Sequence, residues 1–100
     1  MAKYSEILKR WNFPYIQVGG VYLIARQDAV SCIERIYAGP FRFYGWDAFT
    51  LSKEGPQPYL EWSASYEASR RPTRDIIIAT LNSIPNEITH FEFVFDDCEQ

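Results

Sequence analysis

The sequence predicts an α+β fold in which two helices cover one face of a four-stranded antiparallel sheet, preceded by a short N-terminal helix. Three observations support this class. The length of 100 residues suits one domain. The apolar share of 47% is that of an ordinary globular protein. Strand-like and helix-like apolar patterns follow one another in the order β-α-β-β-α-β. We expect an N-terminal helix within residues 1–13, the sandwich over 14–97 and an acidic tail over 98–100.

The N-terminal helix is predicted from Ser5 to Trp11, with Ser5 as its cap and Pro14 beyond its end. Its apolar residues fall on one helical face: Tyr4, Ile7, Leu8 and Trp11. The segment Val21–Ala25 is apolar on both faces, as a central strand is. Gly19-Gly20 makes either a hairpin turn from residues 16–18 into that strand or a flexible approach to it, and the sequence slightly favours the approach.

The second helix is predicted to begin with Asp28 as its cap and to stop at Gly39 and Pro40. Two strand-like segments follow, over residues 41–52 and 58–68, joined by a turn rich in glycine and proline. In the second of them, one set of residues alternates with polar neighbours and is expected to be buried: Leu60, Trp62, Ala64, Tyr66 and Ala68.

The third helix is predicted to begin at the cap Thr73 and to close before Pro85. A last strand places its three phenylalanines on one face: Phe91, Phe93 and Phe95. Two helices interposed in this strand order are typical of a ferredoxin-like sandwich. Unrelated proteins share that architecture, so it implies no function.

The face of the sheet turned away from the helices is the predicted docking surface. Alternation assigns to it these residues: Arg42, Tyr44, Trp46, Tyr59, Glu61, Ser63, Glu67, Glu92, Val94 and Asp96. The placement of Trp46 requires that Gly45 introduce no bulge. Three occupants of this face remain open: the N-terminal helix through Tyr4, Leu8 and Trp11, a second copy of the chain, or a different protein.

The charge distribution restricts the partners. Residues 1–50 carry six basic and four acidic side chains, whereas residues 51–100 carry four basic and nine acidic ones. A face built from the second half repels phosphates, so we expect no direct nucleic-acid partner.

No apolar run approaches the length of a membrane span or of a secretory signal. With only Cys32 and Cys98, both expected as free thiols, the sequence indicates the cytoplasm.

Catalytic, metal and cofactor signatures are absent from the sequence. A catalytic triad or dyad would have to use His90, the single histidine, and no nucleophile motif accompanies it. The cysteines lack the close spacing of zinc ligands, and Asp96 and Asp97 lack a calcium loop. We therefore predict no cofactor and no metal. The candidate anion site is Arg70, Arg71 and Arg74 at the start of the third helix.

Two functions fit this profile. The first is a small non-catalytic inhibitor that occupies a basic surface of another protein, similar in profile to toxin-immunity proteins and phage-encoded anti-defence proteins. Its predicted contact residues are Tyr44, Trp46, Tyr59, Glu61, Glu92, Asp96 and Asp97. The alternative is a dimeric α+β-barrel enzyme or ligand-binding protein, with the ligand held between two sheets. Its predicted cavity residues are Trp46, Trp62, Tyr66 and His90.

Overall fold

A computed structural model describes residues 3–67 and 70–97. In this part of the chain the helices are α1 (Tyr4–Trp11), α2 (Arg26–Ala38) and α3 (Arg74–Ser83). The strands are β1 (Ile16–Val18), β2 (Val21–Ala25), β3 (Phe41–Ser52), β4 (Gly55–Ser65) and β5 (His90–Asp97). The predicted α+β class is confirmed. The predicted acidic tail over 98–100, Cys98 and Ala68 lie outside the described residues.

The sheet has five strands in the order β1-β2-β5-β3-β4, and all neighbouring strands are antiparallel. The predicted four-stranded sheet is therefore wrong in strand number. The extra strand exists because Gly19-Gly20 forms a hairpin turn, with Val18 opposite Val21 and Gly19 at a φ of 61°. Glycine adopts this positive φ without steric strain, whereas residues with a Cβ do not. The last strand, β5, lies between β2 and β3 and is antiparallel to both, so the predicted ferredoxin-like topology is not matched either.

Two of the three predicted helix caps are wrong. Helix α1 begins at Tyr4, one residue before Ser5, and the backbone N–H of Lys3 donates to the Glu6 carboxylate at 3.5 Å. Helix α2 begins at Arg26, immediately after β2, so Asp28 lies in its first turn. Ser5 and Asp28 lie in the first turn of their helices, where short polar and acidic side chains are also common. The sequence pattern therefore does not distinguish them from caps. The third cap is confirmed, since the Thr73 side chain accepts a hydrogen bond from the Ile76 N–H at 3.4 Å.

One hydrophobic core lies between the helices and the phenylalanine face of β5. Phe91, Phe93 and Phe95 are each 1% exposed. Helix α1 joins this core, because Ile7 and Leu8 are buried in it and the Trp11 ring stacks on the Phe95 ring with 5.7 Å between the ring centres. Ile7, Leu8 and Trp11 of α1 thus complete the helix-covered side, whereas the Tyr4 hydroxyl reaches Glu92, whose side chain lies on the opposite face of the sheet.

A bulge in β3 decides the orientation of Trp46. Phe43 lies opposite Phe95 and Gly45 lies opposite Val94, so the register shifts by one residue between them. Gly45 has a φ of 132°, and a Cβ there would meet the Ala64 carbonyl oxygen at 2.0 Å. Only glycine fits this position. The shift turns Trp46 toward the core, where it is 2% exposed.

A second irregularity interrupts β4. Trp46 lies opposite Ala64 and Ala48 lies opposite Tyr59, which leaves residues 60–63 as an excursion beside Asp47. The Ser63 hydroxyl closes the excursion, since it accepts from the Ala48 N–H at 2.9 Å and donates to the Tyr59 carbonyl at 2.9 Å. Leu60 is 88% exposed, so its predicted burial is wrong. The excursion breaks the period-two pattern on which that expectation depended.

Strand β4 forms one edge of the sheet and contains two prolines, Pro56 and Pro58, opposite Leu51 and Phe49. Prolines are tolerated at an edge because their missing N–H can face solvent.

Of the helices in the described residues, none combines the length and the apolarity needed to cross a bilayer.

Candidate functional site

The sheet face opposite the helices carries a group of polar side chains from β3 and β5. We call it the acidic face, defined by these residues: Arg42, Tyr44, Asp47, Glu92, Val94 and Asp96. The alternation of β5 places Glu92, Val94 and Asp96 between the buried phenylalanines, and all three are half-buried. Cross-strand partners share a face, so Asp47 joins Glu92 and Arg42 joins Asp96.

Two side chains of β3 hold the carboxylate of Asp96. The Arg42 Nε donates to Oδ1 at 2.9 Å, and the Tyr44 hydroxyl donates to Oδ2 at 3.2 Å. The Arg42 and Asp96 side chains are 35% and 21% exposed, so water screens this ion pair only in part. Asp96 is therefore fixed in orientation and partly neutralised.

Glu92 is held from the N-terminal helix. The Tyr4 hydroxyl donates a short hydrogen bond to Oε2 of Glu92. Burial raises the pKa of the Tyr4 hydroxyl, and the hydrogen bond to Glu92 raises it further, so Tyr4 stays a donor at neutral pH. The hydroxyl is a neutral donor, so this contact brings no positive charge to Glu92.

Asp47 and Glu92 lie directly opposite each other on adjacent strands. Like charges at opposed positions of a sheet destabilise it by roughly 0.2–1 kcal/mol. Within residues 3–67 and 70–97, no Lys or Arg forms an ion pair with either carboxylate. Asp47 is exposed, whereas Glu92 is half-buried, so the acidic face presents two like charges at facing positions of the sheet.

The β4 excursion adds an apolar residue beside these charges. Leu60 is 88% exposed and Glu61 is exposed next to it, both alongside Asp47. The two hydrogen bonds of Ser63 fix the backbone that presents Leu60. Sequence reasoning missed Leu60 because it continues an alternating apolar pattern. No local signal marks the excursion, because Ser63 and Ser65 are themselves polar positions of that alternation.

The remaining predicted contact residues do not all reach this face. The predicted outward orientation of Trp46 is wrong, since its ring stacks on Phe43 and its Nε1–H donates to the Trp62 carbonyl at 2.9 Å. Tyr59 lies opposite the fully buried Ala48 and packs against the core, so its predicted outward orientation is also wrong. Asp97 is half-buried at the end of β5, opposite Phe41.

The three arginines of the predicted anion site are not gathered around one point. Arg71 donates to the Phe41 carbonyl at 2.7 Å, and its guanidinium lies 4.8 Å from the centre of the Tyr37 ring. Arg74 pairs with Asp75 at 3.3 Å. Arg70 is exposed. Two of the three guanidiniums thus serve internal contacts, which weakens the case for an anion at this helix start.

The chain's histidine and its described cysteine have inert surroundings. The Thr89 hydroxyl lies 2.8 Å from Nδ1 of His90, and burial lowers the pKa of the ring. Burial raises the pKa of the Cys32 thiol to about 12, which leaves it protonated and unreactive. Across the described residues, no group of three His, Cys, Asp or Glu side chains is arranged to hold a metal ion.

The geometry defines an α+β domain with a carboxylate-bearing sheet face and an exposed leucine at its margin. Comparison with known proteins found no matching family model, curated protein or solved structure.

Proposed function

We propose that the chain is a small non-catalytic protein-binding inhibitor whose acidic face occupies a basic functional surface of another protein. This is the mode of action of a cytoplasmic toxin-immunity or anti-defence protein. Glu92 and Asp96 are held at defined positions, Asp47 and Glu61 are exposed, and Leu60 supplies an apolar anchor. Fixed carboxylates steer association with a cationic patch and select against other partners.

The observation that carries this proposal is the opposed pair Asp47 and Glu92. A domain selected for stability alone gains nothing from like charges at facing positions of its sheet. Functional surfaces often retain such locally unfavourable arrangements, because binding relieves them. A lysine or arginine of the partner placed between the two carboxylates would convert the repulsion into two charge-assisted contacts.

The alternative of a dimeric barrel loses support from the structure. Trp46 is buried in the core and the half-buried Tyr66 packs against it beside Phe43, which leaves neither ring free to line a cavity on the open face. Two copies packed face to face would also bring Asp47 and Glu92 of one copy against the same carboxylates of the other. A specific partner of opposite charge fits the acidic face better.

The test combines capture of the partner with measurement of affinity. The chain is immobilised, the protein it retains from its native host is identified and purified, and binding is measured by isothermal titration calorimetry. We expect the double variant Asp47→Asn/Glu92→Gln to weaken binding by at least about tenfold. The amide oxygen introduced by Glu92→Gln still accepts the Tyr4 hydrogen bond, so the loss reports charge rather than structure. The matched control Glu34→Gln/Asp75→Asn removes two exposed helix carboxylates and should change the affinity by less than about twofold.

Stability provides a second readout. In the free protein, Asp47→Asn should raise the free energy of unfolding by about 0.2–1 kcal/mol, because it removes the cross-strand repulsion. Opposite effects on stability and on binding are the signature of a functional surface. Equal binding by the double variant and the control, or retention of no partner at all, would refute the proposal.

A further inference from the structure

A cleft lies at the β1–β2 edge of the sheet, away from the acidic face. It is a cleft of about 200 Å³ between the β1–β2 hairpin and the first turn of α2. Its lining residues are Pro14, Tyr15, Ile16, Leu23, Ala25 and Asp28. Of these six described residues, only Asp28 carries a charge, and the others provide apolar or aromatic walls.

Asp28 places a carboxylate at the wall of this cleft. It is half-buried in the first turn of α2, where the helix dipole favours a negative charge. Its carboxylate forms no hydrogen bond or ion pair with any residue in the ranges 3–67 and 70–97. A half-buried carboxylate beside apolar walls gives up part of its hydration, and no cationic side chain of the described residues pairs with it in return. A cation in the cleft would restore that interaction.

Tyr15 supplies a second group that favours a cation. Its ring lies 5.4 Å from the Tyr22 ring, so the hairpin holds it against a neighbouring aromatic side chain. The face of a tyrosine ring attracts ammonium groups. A carboxylate and an aromatic ring on an otherwise apolar wall are the groups that bind an ammonium head with a short hydrocarbon chain.

The volume restricts the size of the ligand. A cleft of about 200 Å³ corresponds to roughly seven water molecules at about 30 Å³ each. Sites for drug-sized ligands start at about 300 Å³. We propose that this cleft binds a small primary alkylammonium ion, with the ammonium at Asp28 and the alkyl chain along Ile16, Leu23 and Ala25. This site is independent of the proposed function of the acidic face.

The test is an NMR titration of the intact chain with three ligands of the same length: n-butylammonium, n-butanol and butyrate. We expect n-butylammonium to shift the backbone amides of residues 15–16 and 23–28, and to bind at least about tenfold more tightly than n-butanol or butyrate. This comparison needs no variant, so it stands even where a substitution disturbs folding. Equal binding of n-butanol, or no shifts at these amides, would overturn the proposal.

Two variants assign the contacts. Asp28→Asn should weaken n-butylammonium binding by about tenfold. The matched control Asp75→Asn, which removes a carboxylate from the first turn of α3, should change it by less than about twofold. Tyr15→Leu keeps the apolar bulk and should weaken binding by about threefold through loss of the ring. Full affinity in Asp28→Asn would show that the carboxylate is not the ligand-binding group.

Discussion

Trp46 occupies the core because a single glycine precedes it. The β3 bulge at Gly45 turns the indole inward, where it stacks on Phe43 and donates to the Trp62 carbonyl. The Trp46 side chain therefore contributes to folding, and a partner cannot reach it.

The first prediction follows from this burial. Trp46→Ala should lower the free energy of unfolding by about 3–5 kcal/mol, because it leaves a large cavity in the core. Trp46→Phe keeps a ring and loses one hydrogen bond, so it should cost about 1 kcal/mol plus a smaller packing loss. Chemical denaturation followed by circular dichroism measures both values. A loss below about 1 kcal/mol for Trp46→Ala would contradict the core assignment.

His90 gives the protein a pH-dependent stability. Burial lowers the pKa of its ring from the ordinary 6.5, so the unfolded chain binds a proton more readily than the folded one. The stability supplied by the neutral ring is present above pH 6.5 and decreases as the pH falls below that value. We expect a decline in melting temperature below pH 6.5 that His90→Gln reduces. If the melting temperature of His90→Gln fell just as steeply with pH, the decline would be caused by protonation of carboxylates and not of His90.

At the scale of elements, Arg26 connects the start of α2 to the end of α3. Its guanidinium donates to the carbonyls of Leu81, Ile84, Pro85 and Ile88, with a distance of 2.6 Å to Pro85. The last turn of α3 contains no basic residue, and Arg26 supplies donors to the Leu81 carbonyl in that turn and to three carbonyls just beyond the helix. It also places a positive charge at the negative end of the helix dipole.

Arg26→Met should therefore destabilise the protein by about 2–3 kcal/mol, the range expected for charge-assisted hydrogen bonds. Arg35→Met is the control, since Arg35 makes an exposed contact 5.0 Å from the Trp11 ring and should cost about 0.5–1 kcal/mol. Hydrogen exchange should show faster opening at residues 81–88 in Arg26→Met alone. Equal effects of the two variants would remove the special role of Arg26.

The elements differ in how far the sequence determines them. The apolar periodicity of 5–11, 28–38 and 74–84 predicts all three helices, and the phenylalanines of β5 predict its buried face. The two strand irregularities could not be predicted, because each depends on a contact with another strand. Gly45 needs the neighbouring Ala64 carbonyl, and the excursion at 60–63 needs the Ser63 hydroxyl to replace a ladder hydrogen bond.

The same limit applies to the acidic face. The alternation of β5 places Glu92 and Asp96 correctly relative to the phenylalanines. The orientation of Trp46 and Tyr59 required the register of β3 and β4, which lies beyond single-strand periodicity. Asp47 was missed for the same reason, since it joins the face only after the Gly45 bulge.

At the scale of the whole molecule, the charges of the acidic face predict a monomer. Self-association through that face would oppose carboxylates at close range, and low salt would strengthen the repulsion. Size-exclusion chromatography with light scattering should give a mass of 11.7 kDa at low and moderate ionic strength. A stable dimer at low salt, with an affinity that Asp47→Asn does not increase, would contradict the prediction that carboxylate repulsion keeps the protein monomeric.

The prolines of β4 determine how other chains can approach the molecule. Pro56 and Pro58 cannot donate backbone hydrogen bonds, so this border of the sheet offers an incomplete ladder to an incoming extended peptide. The excursion at 60–63 bends the strand further along. Templated growth of fibrils from β4 is therefore disfavoured, and a binding protein has to engage side chains instead of adding a sixth strand there.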